Sequence, residues 1–257
     1  ILLYAAEVWG YERYDTVEKL FRFFIQKMLY LPANTPNYVL YLETNYETLF
    51  VSTLKLHFSY INRALNLQTH RLPRILAEEM IKSDLYWANE WKNLCVNLNF
   101  NTSNNSFPLS YYSLEILELV KHKDISSFVS DAISSQFHDL YPQLEHNISI
   151  LLENLKPRAT SLVIKARCGL LNINAKCFKT NTNGYCTICN LDMPENTFHF
   201  IGVCPAYKNI RKLYLDKDTL NLNEVIAILN GKNFNNLYWF LENSLKYRNY
   251  LINEFNF

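Results

Sequence analysis

Residues 186–207 read CTICNLDMPENTFHFIGVCPAY, and four side chains in this stretch have the spacing of metal ligands. Cys186 and Cys189 are separated by two residues, His199 follows after nine more, and Cys204 follows after a further four. Two thiolates three positions apart can face one ion from a tight turn, and the returning chain can supply an imidazole and a last thiolate at about 2.0–2.3 Å. Because four protein ligands leave no open position for water, the pattern predicts one structural zinc ion (Zn2+) rather than a hydrolytic site.

The other cysteines fit this set of ligands less well. A Cys-x2-Cys pair alone would also suit a redox site, but the His-x4-Cys continuation favours a metal. Cys177 is a competing ligand, although the eight-residue gap between it and Cys186 fits less well. We expect Cys168 to lie in a helix core and Cys95 to act as a small hydrophobic side chain at a helix end. With no signal peptide in the sequence, we expect the thiols to stay reduced in an intracellular compartment.

The composition of the whole chain is typical of a helical protein. The chain has 257 residues, is 49% hydrophobic and contains only 5 glycines, fewer than sandwiches and doubly wound folds usually place in their turns. The apolar periodicity therefore predicts a mostly α fold, with a helical scaffold, a small irregular zinc-stabilised module and C-terminal helices. The predicted helices are residues 16–30, 47–67, 73–94, 110–121, 125–141, 157–165, 205–215, 222–230 and 234–254.

Two segments do not follow the helical pattern. Residues 1–11 are apolar up to Gly10 and indicate either a strand or a short buried helix. Residues 97–109, NLNFNTSNNSFPL, are rich in Asn and Ser and are the best candidate for a linker. No apolar run approaches the roughly 18–20 residues that are needed to span a bilayer, so we expect no membrane partner.

Charge is distributed unevenly along the chain. Residues 156–217 contain ten Lys and Arg against three Asp and Glu, whereas residues 1–155 contain twelve against seventeen. The net charge of the whole chain is only +1. Positive charge is therefore concentrated around the zinc motif, which favours an anionic partner there.

Two blocks of the sequence resemble a known family. Residues 162–207, which include LVIKARCGLLNIN, CTIC and ENTFHFIGVCPAY, are similar to the zinc-binding region at the C-terminus of non-LTR (LINE-type, jockey-like) retrotransposon reverse transcriptases. Residues 1–10, ILLYAAEVWG, resemble the segment after the palm and thumb of these polymerases, and residues 29–44, LYLPANTPNYVLYLET, resemble the next block. The matching positions in the zinc block are Arg167, Gly169, Asn172, Cys186, Cys189, Glu195, His199, Cys204, Pro205 and Tyr207.

The resemblance implies four consecutive segments. Residues 1–31 would be the end of the thumb and connection region, residues 32–155 a helical linker scaffold, residues 156–217 the Cys-Cys-His-Cys (CCHC) zinc-binding module, and residues 218–257 the C-terminal helices. Two-metal phosphoryl transfer by a polymerase uses clustered aspartates, and this chain contains no Asp-Asp pair. We therefore expect a region without the catalytic palm, from a longer RNA-directed DNA polymerase that begins before Ile1.

The resemblance also implies the partners. These would be RNA or DNA and the upstream reverse transcriptase domain. The same resemblance implies a nuclear location. We expect basic side chains near the zinc motif to contact phosphates, and Phe178, Tyr185 and Phe198 to stack on unpaired bases. The candidate nucleic-acid-binding residues are Lys165, Arg167, Lys176, Lys179, Lys208, Arg211 and Lys212.

Other interpretations of the same residues stay open. The basic side chains can instead form a solvated face that only keeps the chain in solution, and Phe198 and Tyr207, which adjoin ligands, can form a small core around the zinc. The whole chain can be a protein–protein interaction module braced by zinc, or an inactive remnant of an element. The sequence carries no Gly-rich phosphate loop, Gly-x-Ser-x-Gly elbow or His-Glu-x-x-His motif, and an active site assembled from distant residues is left open.

Overall fold

The computed structural model describes residues 2–100, 109–135, 140–146, 155–175, 184–231 and 233–255. Within these ranges the chain forms helices joined by turns and no β-strand, so the predicted mostly α fold is confirmed. No helix in the described ranges combines the length and the apolar character that crossing a membrane requires. The helices are α1 (Ala6–Trp9), α2 (Asp15–Met28), α3 (Asn37–Thr44), α4 (Leu49–Leu65), α5 (Leu72–Lys82), α6 (Trp87–Asn97), α7 (Leu109–Ser134), α8 (Pro157–Arg167), α9 (Lys208–Leu215), α10 (Leu222–Leu229) and α11 (Phe234–Phe255).

Three of the predicted helices differ from the observed ones. The helix predicted over residues 73–94 is divided into α5 and α6, because the chain turns between them with positive φ angles of 51° at Asp84 and 46° at Tyr86. The helix predicted over residues 110–121 and most of the one predicted over residues 125–141 form one continuous helix, α7, which has no glycine or proline to interrupt it and ends at Ser134. Residues 136–139 of the second prediction lie outside the described residues. The short apolar segment at the start is a helix, α1, and not a strand.

Helix α3 was not predicted at all. Its six residues from Tyr38 to Glu43 are all buried. A helix that is buried on every side shows no alternation of polar and apolar faces, so the periodicity that reveals surface helices is missing.

The described chain divides into two compact units. Unit 1 is Ile1–Phe24 with Tyr46–Phe128, and unit 2 is Ile25–Asn45 with Val129–Phe257. Each unit therefore combines segments that are distant in sequence. Unit 2 contains the whole zinc motif and the C-terminal helices as well as α3.

The core of unit 1 lies between α4, α6 and α7. Apolar and aromatic side chains from these helices fill it, among them Leu54, Phe58, Trp91 and Val120. Helix α1 packs closely across α4 at Gly10, where a Cβ atom would lie only 2.4 Å from the Thr53 carbonyl oxygen. Cys95 is buried in this core, as expected for a small hydrophobic side chain.

Helix α11 is at the centre of unit 2. It packs against α8, α9 and α10, and it buries Leu237, Phe240 and Leu241 completely. Phe200, from the zinc motif, joins this core, with its ring centroid 6.1 Å from that of Phe240 and 4.7 Å from that of Tyr207. The metal-ligand segment therefore packs against the helical core of unit 2.

Candidate metal centre

The first two ligand cysteines are held in a tight turn. The Cys186 N–H donates to the Met193 carbonyl oxygen at 2.9 Å, and the Glu195 N–H donates to the Gly184 carbonyl oxygen at 2.8 Å. These bonds pair the two sides of residues 184–195 as a short antiparallel hairpin around an isolated bridge. The hairpin turns the side chains of Cys186 and Cys189 toward the same point, as their spacing predicts.

The other two ligands lie at opposite ends of one wide helical turn. Residues His199–Val203 form a π turn, in which the Cys204 N–H donates to the His199 carbonyl oxygen at 2.9 Å. The Asn196 side chain begins the turn by accepting a hydrogen bond of 2.8 Å from the His199 N–H. Gly202 suits the crowded inside of this turn, because a Cβ there would lie 3.0 Å from the Leu220 carbonyl oxygen.

The four ligand side chains meet in a buried cluster. All four ligand atoms lie within 4.8 Å of one another. The Sγ atoms of Cys186 and Cys204 are 4.0 Å apart, and Cys189 Sγ is 3.4 Å from His199 Nε2. A tetrahedral ion with bonds of about 2.0–2.3 Å separates its ligands by about 3.3–3.8 Å. The predicted ligand set is therefore assembled in a form that can bind a metal ion.

The electrostatics of the cluster also favour a cation. A hydrogen bond from the Cys204 thiol lowers the pKa of Cys186 to about 3, and the same bond raises the pKa of Cys204 well above its ordinary value. Burial raises the pKa of the Cys189 thiol. The protein alone thus stabilises one thiolate, whereas a divalent ion would stabilise all three.

A buried ion pair anchors the hairpin to α11. The Arg248 guanidinium donates from Nε to Glu195 Oε1 and from Nη2 to Glu195 Oε2, both at 2.7 Å. Asn174 completes the network, since its N–H donates to Glu195 Oε2 at 2.8 Å and its Oδ1 accepts from Arg248 Nη2 at 3.0 Å. The matching of Glu195 to the family motif marked one of these residues, but nothing in the local sequence indicated Arg248 or Asn174.

Arg211 braces the turn that carries His199 and Cys204. Its guanidinium is fully buried and donates to the carbonyl oxygens of Ile201 at 2.6 Å, Cys204 at 2.9 Å and Asp218 at 2.6 Å. The prediction that Arg211 contacts nucleic acid is therefore wrong. A side chain that is completely buried and bonded to the backbone cannot reach a phosphate on the surface.

The prediction for Arg167 is wrong for the same reason. Its side chain is buried and forms an ion pair with Glu43, with Nε 2.8 Å from Oε2. The guanidinium also donates to the carbonyl oxygens of Glu145, at 2.6 Å, and Leu229. Arg167 thus joins α3, α8 and α10 inside unit 2, and Glu43 is the partner that the sequence did not reveal.

The remaining candidate contacts fall into three groups. Lys208 and Lys212 are exposed on α9, and their Nζ atoms lie 3.1 Å and 3.7 Å from the Asp218 carboxylate. Lys165 is half-buried on α8. Lys176 and Lys179, and with them Cys177 and Phe178, lie outside the described residues.

The aromatic side chains near the ligands also differ from one another. Tyr185 is half-exposed, and Phe198 is partly buried with one ring edge near Gly202. Tyr207 is completely buried against Phe200, so it belongs to the small core beside the ligands. Cys168 is also completely buried, directly after α8.

Comparisons with known proteins add no further constraint. No protein-family model, no curated protein and no solved structure matches this chain. The functional interpretation therefore depends on the buried Cys-Cys-His-Cys cluster, on the surface charges of unit 2, and on the motifs in the sequence.

Proposed function

We propose that Cys186, Cys189, His199 and Cys204 hold one structural zinc ion, and that the unit built around it binds RNA or DNA. In this proposal the chain is the C-terminal region of a non-LTR retrotransposon reverse transcriptase, and it does not polymerise by itself. The observation that carries the proposal is the buried cluster of four ligand atoms within 4.8 Å of one another, at the spacing that the family motif requires.

The chemistry of the ligands supports zinc in particular. Three thiolates and one imidazole suit a borderline-soft ion that prefers tetrahedral geometry, whereas hard ions such as Mg2+ and Ca2+ prefer oxygen ligands. All four positions would be taken by protein atoms, so the ion would have no site for substrate or water. Its role would be to hold residues 184–207 in the shape that the surrounding hydrogen bonds require.

The metal can be tested directly on the purified chain. We expect native mass spectrometry to find one zinc ion per chain, and expect Cys186→Ser and His199→Ala each to lose it. Cys95→Ala is the matched control, because it removes a buried thiol of unit 1 and should leave the zinc content unchanged. A chain that is folded and free of zinc, with reactive thiols at Cys186, Cys189 and Cys204, would contradict the proposal.

Nucleic-acid binding is supported by the positive balance of residues 156–217 and by the family motif. Two of the ten positive side chains, Arg167 and Arg211, are buried inside unit 2 and are not available to contact a phosphate. The exposed ammonium groups of Lys208 and Lys212 remain, on a helix that begins after a short turn, Pro205–Tyr207, which follows the last metal ligand. Zinc binding and phosphate binding would therefore be linked through one short segment.

Salt dependence tests this second part. A labelled single-stranded RNA and a duplex DNA can be titrated at several salt concentrations, since each lost phosphate contact reduces the slope of log K against log salt by about 0.7–0.9. We expect Lys208→Gln with Lys212→Gln to weaken binding and reduce the slope. Lys19→Gln with Lys55→Gln, which removes two exposed lysines of unit 1, is the control for charge. If the affinity for nucleic acid changes neither with salt concentration nor with any of the four lysine substitutions, a protein-interaction module would be favoured instead.

A further inference from the structure

A groove on unit 2 lies between α8, from its first turn to its last, and the middle of α11. Its volume is about 820 Å³, which is within the range of about 300–1,000 Å³ that is usual for small-molecule sites. Lys156, Pro157 and Lys165 line the α8 side, Leu245 lines the α11 side, and the ring of Tyr30 forms a third wall. The groove is separate from the metal ligands, none of which lines it.

The groove carries an excess of positive charge. Four cationic side chains line it, from Lys156, Arg158, Lys165 and Lys246, against the one carboxylate of Glu242. That carboxylate is already paired with Lys246 Nζ at 2.9 Å and with Arg158 Nη2 at 3.7 Å. Lys156 and Lys165 have no ion-pair partner among the residues that the structure describes. Lys165 is also half-buried, and burial lowers the pKa of its ammonium group.

The start of α8 adds uncapped donors at one end of the groove. The helix begins at Pro157, and no side chain caps its N-terminus. The first turn of a helix presents free N–H groups and a partial positive charge, which together favour an anion.

Ser161 also lines the groove, near the middle of α8. The side chain is only 3% exposed. Its hydroxyl has no hydrogen-bond partner among the described residues, whereas buried hydroxyl groups normally have one.

The remaining walls of the groove are apolar. Pro157, Leu162 and Leu245 supply aliphatic surface, and Tyr30 supplies an aromatic ring that is 67% exposed. Exposed aromatic rings beside cationic side chains are the usual platform for an unpaired base and its phosphate. The groove thus offers an anion site and a stacking surface together.

We propose that this groove holds one nucleotide of a bound single strand, with its phosphate on α8 between Lys156 and Lys165 and its base on the Tyr30 ring. The assignment rests on the proposed nucleic-acid function and names the part of unit 2 that performs it. Single-stranded RNA or DNA enters the groove, and duplex does not, because the base must leave its stack.

The test uses the zinc-loaded full chain and a labelled single-stranded oligonucleotide. We expect Lys165→Gln to weaken binding about tenfold, as charge-assisted hydrogen bonds usually do, and to reduce the salt slope by about 0.7. We expect Tyr30→Ala to weaken binding about tenfold through lost stacking, and Tyr30→Phe to bind as the parent does because it keeps the ring. Lys55→Gln is the matched control for one lost charge in unit 1.

The outcomes separate this inference from the proposed function. If strands bind in a way that depends on Lys208 and Lys212 while the groove variants bind like the parent, the groove assignment is overturned and the proposed function stands. If no strand binds at all, both are overturned. A strand containing 4-thiouridine, photo-crosslinked to the unaltered chain and mapped by mass spectrometry, should label Tyr30 or its neighbours, and labels confined to other segments would overturn the groove.

Discussion

Three buried arginines organise the interior of unit 2. Arg167 and Arg248 are paired with Glu43 and Glu195, whereas Arg211 donates only to backbone carbonyl oxygens. Arginine suits these positions because its planar group presents five donors in a fixed fork and stays charged. A buried charge is costly unless its hydrogen bonds are satisfied, so each guanidinium needs all of its partners in place.

We expect Glu195→Gln to destabilise unit 2 by about 3–5 kcal/mol, because it leaves the Arg248 charge buried without its counter-ion. Urea unfolding of the zinc-loaded chain measures the change. Glu254→Gln is the control, since it removes an exposed carboxylate from the same helix that carries Arg248. A loss below about 1 kcal/mol, the size typical of a surface pair, would show that the ion pair does not hold the hairpin.

At the scale of elements, one histidine joins three helices of unit 1. His57 of α4 lies against Trp87 and Trp91 of α6, with ring centroids 5.8 Å and 5.4 Å away. Its Nδ1–H donates to the carbonyl oxygen of Glu7 in α1 at 2.7 Å. Burial lowers the pKa of His57 to about 4, so the imidazole is neutral where these helices pack.

This packing predicts a loss of stability in acid. The unfolded chain protonates His57 near its ordinary pKa of about 6.5, while the folded chain resists protonation until about pH 4. Stability contributed by the neutral form is complete above pH 6.5 and falls as the pH drops through this window, by about 3 kcal/mol at about 1.36 kcal/mol per pKa unit. We expect His57→Asn to remove most of that dependence between pH 7 and pH 4, measured by urea unfolding. His70 is exposed, so His70→Asn should retain the pH dependence of stability. Equal pH dependence in both variants would contradict the assignment of this effect to His57.

At the scale of the whole molecule, the two units are stabilised by different means. The core of unit 1 consists of apolar and aromatic side chains from α4, α6 and α7. Unit 2 also has an apolar core, but residues 184–207 within it depend on turns, buried ion pairs and the proposed metal. Zinc contributes about 10–16 kcal/mol in small zinc-finger peptides, which is as large as the whole stability of a typical domain, about 5–15 kcal/mol.

Metal removal should therefore affect the units unequally. After chelation we expect faster hydrogen exchange, measured by mass spectrometry, in residues 184–231 and in α11. Peptides from α4 and α6 should exchange as they do in the zinc-loaded chain. Equal acceleration in both sets of peptides, or none in either, would contradict a structural metal that belongs to unit 2.

The sequence by itself determined the ligand set and most of the helices. Both are local properties: the four ligands lie within nineteen residues of one another, and an amphipathic helix repeats its apolar residues every three to four positions. The helices that start at Pro157, or at the Asn221 capping box, are also marked by residues in their first turn. These local signals can be recognised without knowledge of the rest of the fold.

Only the tertiary structure decided which positive charges face outward. Lys208 and Arg211 are three residues apart and look equivalent in the sequence, yet one is exposed and the other is completely buried. The ion-pair partner of Arg167 is Glu43, which lies 124 residues away in the sequence. Glu43 belongs to α3, a buried helix that shows no alternation of polar and apolar faces in the sequence. Burial depends on which distant elements pack together, so a count of local charge cannot separate a phosphate contact from an internal brace.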